Sequence, residues 1–493
     1  MNSPDSKGPS NSFWHSLFDA DSIAVVGASD RIGSWGFDAM RAALAVTEAN
    51  ARKQVYAVNT NAREVLGVTS YSSILDIPSP VDLAVIVVPA GIVCEVLRQC
   101  VQKKAKAAVI ITAGFAEVSG DGFGLEAELV AIARQGGLRF VGPNCIGHAD
   151  AHSRVASANF ASSIAPGPMA LLSQSGMLSA GIVQIAAGLG IGLSKFVSTG
   201  NEADLHLEDF LEYLAHDKDT RVITAYIEGL REGRRFLELA REITVKKPII
   251  VIKTGATTGS SRAAKSHTGA LAGSDAIYSA VFKQAGVLRA DDEEELCDMV
   301  MALLSQPLPR GNRVGILTVG GGIGVLTAEA CEKEGLKIAS LETPTLEKLN
   351  ALLPPIWSHG NPIDLVNIRS MPREQTFSSC LGLLMEDKNL DSVISILPPL
   401  AAFQNLTGSL NPKLLRAIWI ERQKIMNPLS QQVKQYGKPL FLVRRFIPQL
   451  GYDANELSSA FEDRIPEFSH PRRAARAISN LAWYRRYLEE RKT

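Results

Sequence analysis

Short β-branched apolar runs, each ending in glycine or a small polar residue and followed by a stretch with helical spacing, recur along the chain. Ser22-Ile-Ala-Val-Val runs into Gly27, and residues 36–44 then carry apolar positions at helical intervals. That succession predicts a buried strand, a tight turn and a helix. The same reading predicts strands at 54–58, 83–88, 107–111 and 139–141, with a helix near 92–103. A second series opens after Pro166-Gly-Pro168, with strands at 169–172, 193–197, 222–227 and 248–253 and helices at 175–189, 205–216, 274–285 and 292–304. Gln306-Pro-Leu-Pro-Arg-Gly-Asn312 reads as a linker. The pattern then starts a third time, with strands at 313–319, 392–397 and 439–443, a helix at 325–335, and an amphipathic, Arg-rich helix at 471–492. Strands alternating with helices mean parallel sheets whose ligands lie outside the carboxyl ends of the strands. The expected fold class is α/β, in three doubly wound domains at 18–150, 151–305 and 313–493.

Composition narrows the class. The 493 residues are 46% hydrophobic and 21% charged, so the chain buries several cores and disorder is excluded as its main state. Lys plus Arg and Asp plus Glu both total 51, which leaves no net field to draw nucleic acid or an acidic membrane. The cysteines are scattered without a C-x-x-C pair, so neither a disulfide framework nor a structural zinc site is expected, and a reducing cytoplasm fits. No apolar run approaches the ~20 residues of a membrane span. Residues 1–12 are polar and lack the apolar segment of a signal peptide, and residues 1–17 are expected as a disordered tail. The charges of the 471–492 helix are expected on a solvated face.

The chemistry-bearing residues fall in loops after predicted strands. Gly27-Ala28-Ser29, with Gly33 and Gly36 downstream, stands where a dinucleotide fold cradles phosphate, because glycine lets backbone N–H groups approach an anion at a helix start. The spacing is not G-x-G-x-x-G, and Val58-Asn-Thr-Asn61 supplies no acid to hold a ribose, which counts against NAD. Gly114-Phe-Ala-Glu117 and Gly142-Pro-Asn-Cys-Ile-Gly147 follow two further strands at the same edge, and convergent loops make a cleft. Cys145 has no His or Asp at triad spacing and is expected to be packed, not reactive. His148 and His152 resemble a metal pair without a third ligand; they are expected as solvated or turn residues, and no metal site is assigned. Ser173-Gln-Ser-Gly176 offers hydroxyls and free N–H groups to an anion, although N-capping by Ser173 or Ser175 demands the same residues. Leu172 stands where a G-x-S-x-G nucleophile elbow needs glycine.

Residues 253–273 are a run of small and hydroxyl-bearing side chains with no acid, three cations (Lys253, Arg262, Lys265) and one histidine, His267. Such a loop can move and can take a polyanion. A neutral imidazole is a good phosphoryl acceptor near pH 7 if a carboxylate holds its opposite N–H. Glu228, at the end of the 222–227 strand, is the candidate for that role; a solvated loop histidine is the alternative.

Taken together, Ile23-Ala-Val-Val-Gly-Ala-Ser29, Val85-Ile-Val-Val-Pro-Ala90, Gly142-Pro-Asn-Cys-Ile-Gly147, Ser173-Gln-Ser-Gly176, Tyr226-Ile-Glu-Gly229 and Ser266-His-Thr-Gly-Ala-Leu271 resemble the NDP-forming acyl-CoA synthetases. These are relatives of succinyl-CoA synthetase, and the resemblance is to the CoA-binding, phosphohistidine-bearing alpha subunit. It implies a Rossmann-like CoA-binding domain followed by two flavodoxin-like, succinyl-CoA-synthetase-like domains. Coenzyme A is then expected at Gly27, Ala28, Ser29, Val88, Pro89, Thr112, Ala113 and Gly114, with Asn144 beside the phosphate. The phosphorylated histidine falls on His267 and its carboxylate partner on Glu228. The phosphate-holding helix starts fall on Ser173, Ser175 and Gly176 and on Gly321 and Gly322. The implied reaction is acid plus CoA plus ATP giving acyl-CoA, ADP and phosphate, through an acyl phosphate and a phosphohistidine. ATP or ADP and Mg2+ would enter through an ATP-grasp beta subunit, making a cytoplasmic hetero-oligomer that acts on a small carboxylic acid or its acyl-CoA. A catalytically silent CoA-binding protein on the same scaffold is the alternative.

Overall fold

Every residue of the first strand, β1 (Ser22–Val26), is buried, as its continuous apolar run requires of a strand covered on both faces. In the computed structural model the described residues are 9–118, 121–158, 164–255, 257, 259, 274–365, 373–396, 428–444 and 461–492. They fall into two units, Met1–Glu293 and Glu294–Thr493.

The first unit holds two sheets. In the first lie β1, β2 (Gln54–Val58), β3 (Glu64–Val65), β4 (Val68–Tyr71), β5 (Leu83–Ile86), β6 (Ala107–Ile110) and β7 (Arg139–Val141). Their order is β3-β4-β2-β1-β5-β6-β7, parallel except for the β3–β4 hairpin. The period of two sorts the core. Ile23, Val25, Leu83, Val85, Ala107 and Val109 face Met40 and Val46 of α2 (Trp35–Ala49). Ala24, Val26, Ala84, Ile86, Ala108 and Ile110 face α3 (Ala90–Lys103) and α4 (Gly122–Gly136).

The second sheet contains β8 (His148–Asp150), β9 (Pro166–Ser173), β10 (Leu193–Ser198), β11 (Val222–Ile227), β12 (Ile249–Lys253) and β13 (Leu288–Ala290), in the order β13-β12-β11-β9-β10-β8. Only β8 runs antiparallel. Its helices are α5 (Gly176–Gly188), α6 (Leu207–His216), α7 (Gly233–Ile243) and α8 (Asp275–Ala285).

The second unit comprises α9 (Glu293–Ser305), β14 (Arg313–Thr318), α10 (Gly321–Lys333), β15 (Lys337–Ile338), α11 (Thr343–Leu352), β16 (Ile363–Asp364), α12 (Arg373–Glu386), β17 (Ser392–Ile396), β18 (Leu440–Val443), β19 (Glu467–Phe468) and α13 (Pro471–Glu490). The sheet order is β15-β14-β17-β18-β19, with β16 beside the end of β14, all parallel. In each of the three sheets the chain leaves its first parallel strand to opposite sides, so β1, β9 and β14 are the switch points, where α/β sheets bind ligands.

Four expectations need correction. The stretch before Phe18 is not all tail: Asn11–Phe18 forms helix α1, capped by Ser10, with Phe13, Trp14, Leu17 and Phe18 buried. Trp14 stacks on Tyr213 of α6 at 4.6 Å, so aromatic packing against the second sheet's helix orders a segment whose composition looks unstructured. The helix after β14 starts at Gly321, four residues earlier than its apolar spacing suggests, because its first turn is mostly glycine and carries too few apolar side chains to reveal the helical period. The arginines of α13 are not merely solvated: Arg473 pairs with Asp298 at 2.6 Å, and Arg476 pairs with Glu295 at 2.8 Å and Glu334 at 3.1 Å.

His148 is fully buried, its Nδ1 2.8 Å from Ser157 Oγ and its Nε2 2.7 Å from the Leu17 carbonyl, which correct the solvated reading and fasten α1 to β8. Burial lowers its pKa from 6.5 to about 4. A depressed histidine contributes stability that is complete above pH 6.5 and is lost as the pH falls toward 4, up to about 3 kcal/mol. The melting temperature of the wild-type chain should therefore fall more steeply than that of His148→Gln between those pH values; equal slopes in a fluorimetric melt would contradict this.

Candidate functional site

The carboxyl edge of the first sheet collects the loops expected to hold a ligand. Gly27 has φ +94°, and a Cβ there would collide with the Val87 carbonyl oxygen, so only glycine lets the chain leave β1 beside β5. Gly36 brings the first turn of α2 equally close to the Gly27 carbonyl, and Ser34 caps that helix. Ala28 is buried, and Ser29 Oγ accepts the Arg31 amide at 3.1 Å. Thr112 Oγ1 donates to the Val88 carbonyl at 2.7 Å, and the Asn144 amide donates to the Thr112 carbonyl at 2.9 Å. Gly114 turns with φ +110° against Ala90, while Pro89 and Ala113 are exposed. All nine of these predicted positions share one rim, and Ile32, Trp35 and Ile92 stand exposed near its helix starts. Asn59, where a ribose-binding acid would stand, instead donates from Nδ2 to the Ala28 carbonyl at 2.8 Å.

The second sheet presents a second set at the ends of β9, β10, β11 and β12. Ser173 is buried, and its Oγ both takes the Ser175 amide and donates to the Ser175 carbonyl at 2.7 Å, so this hydroxyl is used by the turn. Ser175 is the N-cap of α5 but makes no side-chain cap bond, and Gly176 rests on Ile146 of the 142–147 loop. Glu228 is half-buried, directly after β11. Its amide and that of Gly229 donate to Gln174 Oε1 at 2.6 and 3.0 Å. Gln174 Nε2 donates to the Gly229 carbonyl at 2.8 Å and to Glu202 Oε1 at 2.9 Å. Lys253 closes β12 with its amine 4.3 Å from the Tyr278 ring centre; burial lowers its pKa, and the charge of Glu228 acts the other way. His267, Arg262 and Lys265 lie outside the described residues.

The two edges are joined by the loop after β10. Asn201 accepts from Asn144 Nδ2 at 3.1 Å and donates to Glu126 at 2.8 Å, and Asp204 takes Arg139 at 2.8 Å. Glu202, with φ +54° and 2% exposure, is pushed up to about pKa 7 by burial, with the charge of Glu208 adding to it. Sequence reasoning assigned no role to Gln174, Thr199, Asn201 or Glu202. The available signal was positional, since Thr199-Gly-Asn-Glu202 follows a parallel strand and must lie at the same edge as Ser173 and Glu228.

Other chemistry is absent from these positions. Burial pushes the Cys145 thiol up to about 12, and its Sγ donates to the Ile110 carbonyl, so it is packed as expected. His152 is exposed. Among the described residues one trio, His206, Glu208 and Glu232, brings ligand-type atoms within 4.8 Å of one another. These groups already serve the helix ends: the His206 side chain accepts the Asp209 amide, Glu232 Oε2 pairs with Arg235, and Glu208 Oε1 takes the Glu232 amide. In the second unit, Gly321 and Gly322 are exposed at the start of α10, and a Cβ on Gly321 would lie 3.1 Å from Asp364 Oδ2.

Comparison with known proteins places this arrangement. Residues 21–150 match a CoA binding domain, 166–303 a succinyl-CoA ligase like flavodoxin domain, and 314–458 a ligase-CoA domain. The chain is 45% identical over 380 residues to the alpha subunit of ADP-forming acetate–CoA ligase II of Pyrococcus furiosus, covering 77% of this chain and 81% of that subunit. The chain belongs to the ADP-forming acyl-CoA synthetases. It is also 43% identical over 346 residues to an ADP-forming acetate–CoA ligase of Methanocaldococcus jannaschii, covering 70% of this chain but 48% of that protein. Among solved structures, a dinucleotide forming acetyl-coenzyme A synthetase of Ca. Korarchaeum cryptofilum, in complex with phosphate and ADP, matches with a TM-score of 0.80 and 32% identity over 96% of this chain and 97% of that one. Family membership makes the first sheet a CoA-binding layer and, with Asn59 in the ribose position, removes the NAD reading. No helix among the described residues is long and apolar enough to cross a membrane.

Replacing Gly27 by alanine forces a side chain into the Val87 carbonyl, whereas a Cβ on Gly124 meets nothing within 4 Å. Calorimetric titration should show CoA affinity falling by about tenfold or more, a loss of ~1.4 kcal/mol, in Gly27→Ala. Gly124→Ala should bind as wild type; unchanged affinity in both variants would detach Gly27 from the CoA site.

Proposed function

We propose that this chain is the CoA-binding, phosphohistidine-bearing subunit of an ADP-forming acyl-CoA synthetase, working with an ATP-grasp beta subunit that holds ATP and Mg2+. The observation that carries the reading is the junction of the two edges: the loops expected to hold CoA and the turn holding Glu228 are tied through one segment, residues 199–204. Acyl transfer to CoA and phosphoryl transfer to histidine need such neighbouring sites. The alpha-subunit name of the P. furiosus relative supports a separate partner, and its family supports turnover over a silent role. The exposed Ile32, Trp35 and Ile92 suit the apolar parts of CoA, and the start of α2 suits its pyrophosphate.

In the direction that consumes ATP, neutral His267 attacks the γ-phosphorus and ADP leaves. Glu228 accepts the opposite ring N–H and stabilises the cation that forms. The phosphoryl group passes to a carboxylate oxygen of the acid, giving an acyl phosphate. The CoA thiolate then attacks the acyl carbon and phosphate departs. Backbone amides at the start of α5, with Gly176, hold the phosphoryl oxygens without having to reorganise. In the second unit, Gly321 and Gly322 at the start of α10 are the other helix start expected to bind a phosphate. Asn144 is expected beside the phosphate, and its tie to Asn201 holds it at the edge shared by both sheets. The relatives named above act on acetate, and a small carboxylic acid of that kind is the proposed substrate class.

Labelled ATP should place acid-labile, base-stable label on His267 when the chain is incubated with its co-purified partner. His267→Ala should abolish turnover and labelling, and Glu228→Gln should slow labelling by about a hundredfold, ~2.7 kcal/mol in barrier. Label on another residue, or full activity in His267→Ala, would overturn the mechanism.

A further inference from the structure

We infer that Gln174 and Glu202 are positioning residues that set the Glu228 carboxylate for phosphoryl transfer, an inference that rests on the role proposed for Glu228. Gln174 follows β9, and both ends of its amide are used on the turn after β11. Its oxygen takes the Glu228 and Gly229 amides, and its nitrogen donates to the Gly229 carbonyl. The two consecutive amides can be satisfied together only with the oxygen turned toward them. Glu202 decides that orientation, because its Oε1 accepts from Gln174 Nε2 and would repel the amide oxygen if the group were turned over.

Glu202 is itself held. Thr199 Oγ1 donates to the same Oε1 at 2.8 Å, and the Thr199 amide donates to the Ser173 carbonyl at 2.8 Å. The chain Ser173, Thr199, Glu202, Gln174, Glu228 therefore crosses the carboxyl ends of β10, β9 and β11, with Thr199 and Glu202 essentially sealed from water. Glu202 adopts φ +54°, a left-handed conformation unusual for a residue with a Cβ, and the loop carries it without glycine at that position. A plain core-filling role needs neither this conformation nor a directed acceptor. Asn201, the preceding residue, holds Asn144 of the 142–147 loop, so the positioning network begins where the CoA-binding layer ends.

The test compares single and double variants in the assembled enzyme, reading the rate of histidine labelling from ATP. Gln174→Met and Glu202→Met preserve volume and remove the directed groups; each should slow labelling by about tenfold or more. Glu202→Gln keeps an acceptor oxygen and should restore most of the rate. In a Glu228→Gln background, Gln174→Met should add little, because its effect passes through the carboxylate. Calorimetry should give wild-type CoA affinity in every variant, a split that general unfolding would not produce. Wild-type labelling rates in Gln174→Met, or a full additional loss in the Glu228→Gln background, would overturn the inference. If Glu228→Gln alone leaves labelling unchanged, the proposed role of Glu228 falls first, and the two failures are thereby distinguished.

Discussion

The first unit depends on the short loop from Thr199 to Asp204, which must satisfy two sheets at once. Each sheet ends in backbone groups and side chains that face a cleft instead of a helix, and such edges drift apart unless something bridges them. Asn201 bridges by accepting from Asn144 and donating to Glu126, Asp204 by taking Arg139 and the Phe140 amide, and Glu202 by holding Gln174. Asp204 is buried while Arg139 stays partly exposed, so loss of Arg139 would strand the buried carboxylate and is more damaging than loss of a surface pair would be. Precision at the cleft is therefore a property of the loop more than of either sheet.

Helix α1 completes that arrangement from the opposite side of the second sheet's strands. Trp14, Phe18 and Tyr213 stack, His148 reaches the Leu17 carbonyl, and Lys195 lies 5.9 Å from the Phe18 ring centre. Burial pulls the Lys195 amine down, but the charge of Asp150, 2.9 Å away, more than reverses it, with Asp217 and Asp219 close by. Lys195 and Asp150 are buried, and their charges are matched locally. Glu202 differs, since burial, with the charge of Glu208 adding to it, raises its pKa, and among the described residues no cation pairs with it at contact distance.

The three helix starts at the switch points are chemically unequal. At α2 the glycine approach brings the helix start beside exposed apolar residues, which suits a long ligand with a charged middle and apolar ends. At α5 Ser173 is consumed by its own turn, while Ser175 makes no cap bond and remains at the helix start. At α10 the Asp364 carboxylate lies beside the first turn, close to Gly321. Similar Gly and Ser signatures thus give different electrostatic settings, decided by residues far away in the chain.

How much was legible depended on whether the signal was local. Strands such as Ser22–Val26, Leu83–Ile86 and Val222–Ile227 follow from buried apolar runs, which constrain the backbone whatever lies beyond them. The glycine after β1 and the Ser-Gln-Ser-Gly turn were legible because close backbone approach leaves few residue choices. Helix α1 was not, since its aromatic side chains gain their burial from partners more than a hundred residues away, Tyr213 of α6 and His148 of β8 among them. The pairing of the α13 arginines was hidden for the same reason. The sequence by itself determined the alternation of strand and helix, the three parallel sheets and the family motifs, because these depend on periodicity and on glycine's freedom at named positions. Tertiary structure alone decided that Gln174 and Glu202 would meet the turn of Glu228 and that Asn59 would close the CoA loop. Those outcomes depend on which strand ends become neighbours, a relation set by sheet order and long-range packing that no local pattern encodes.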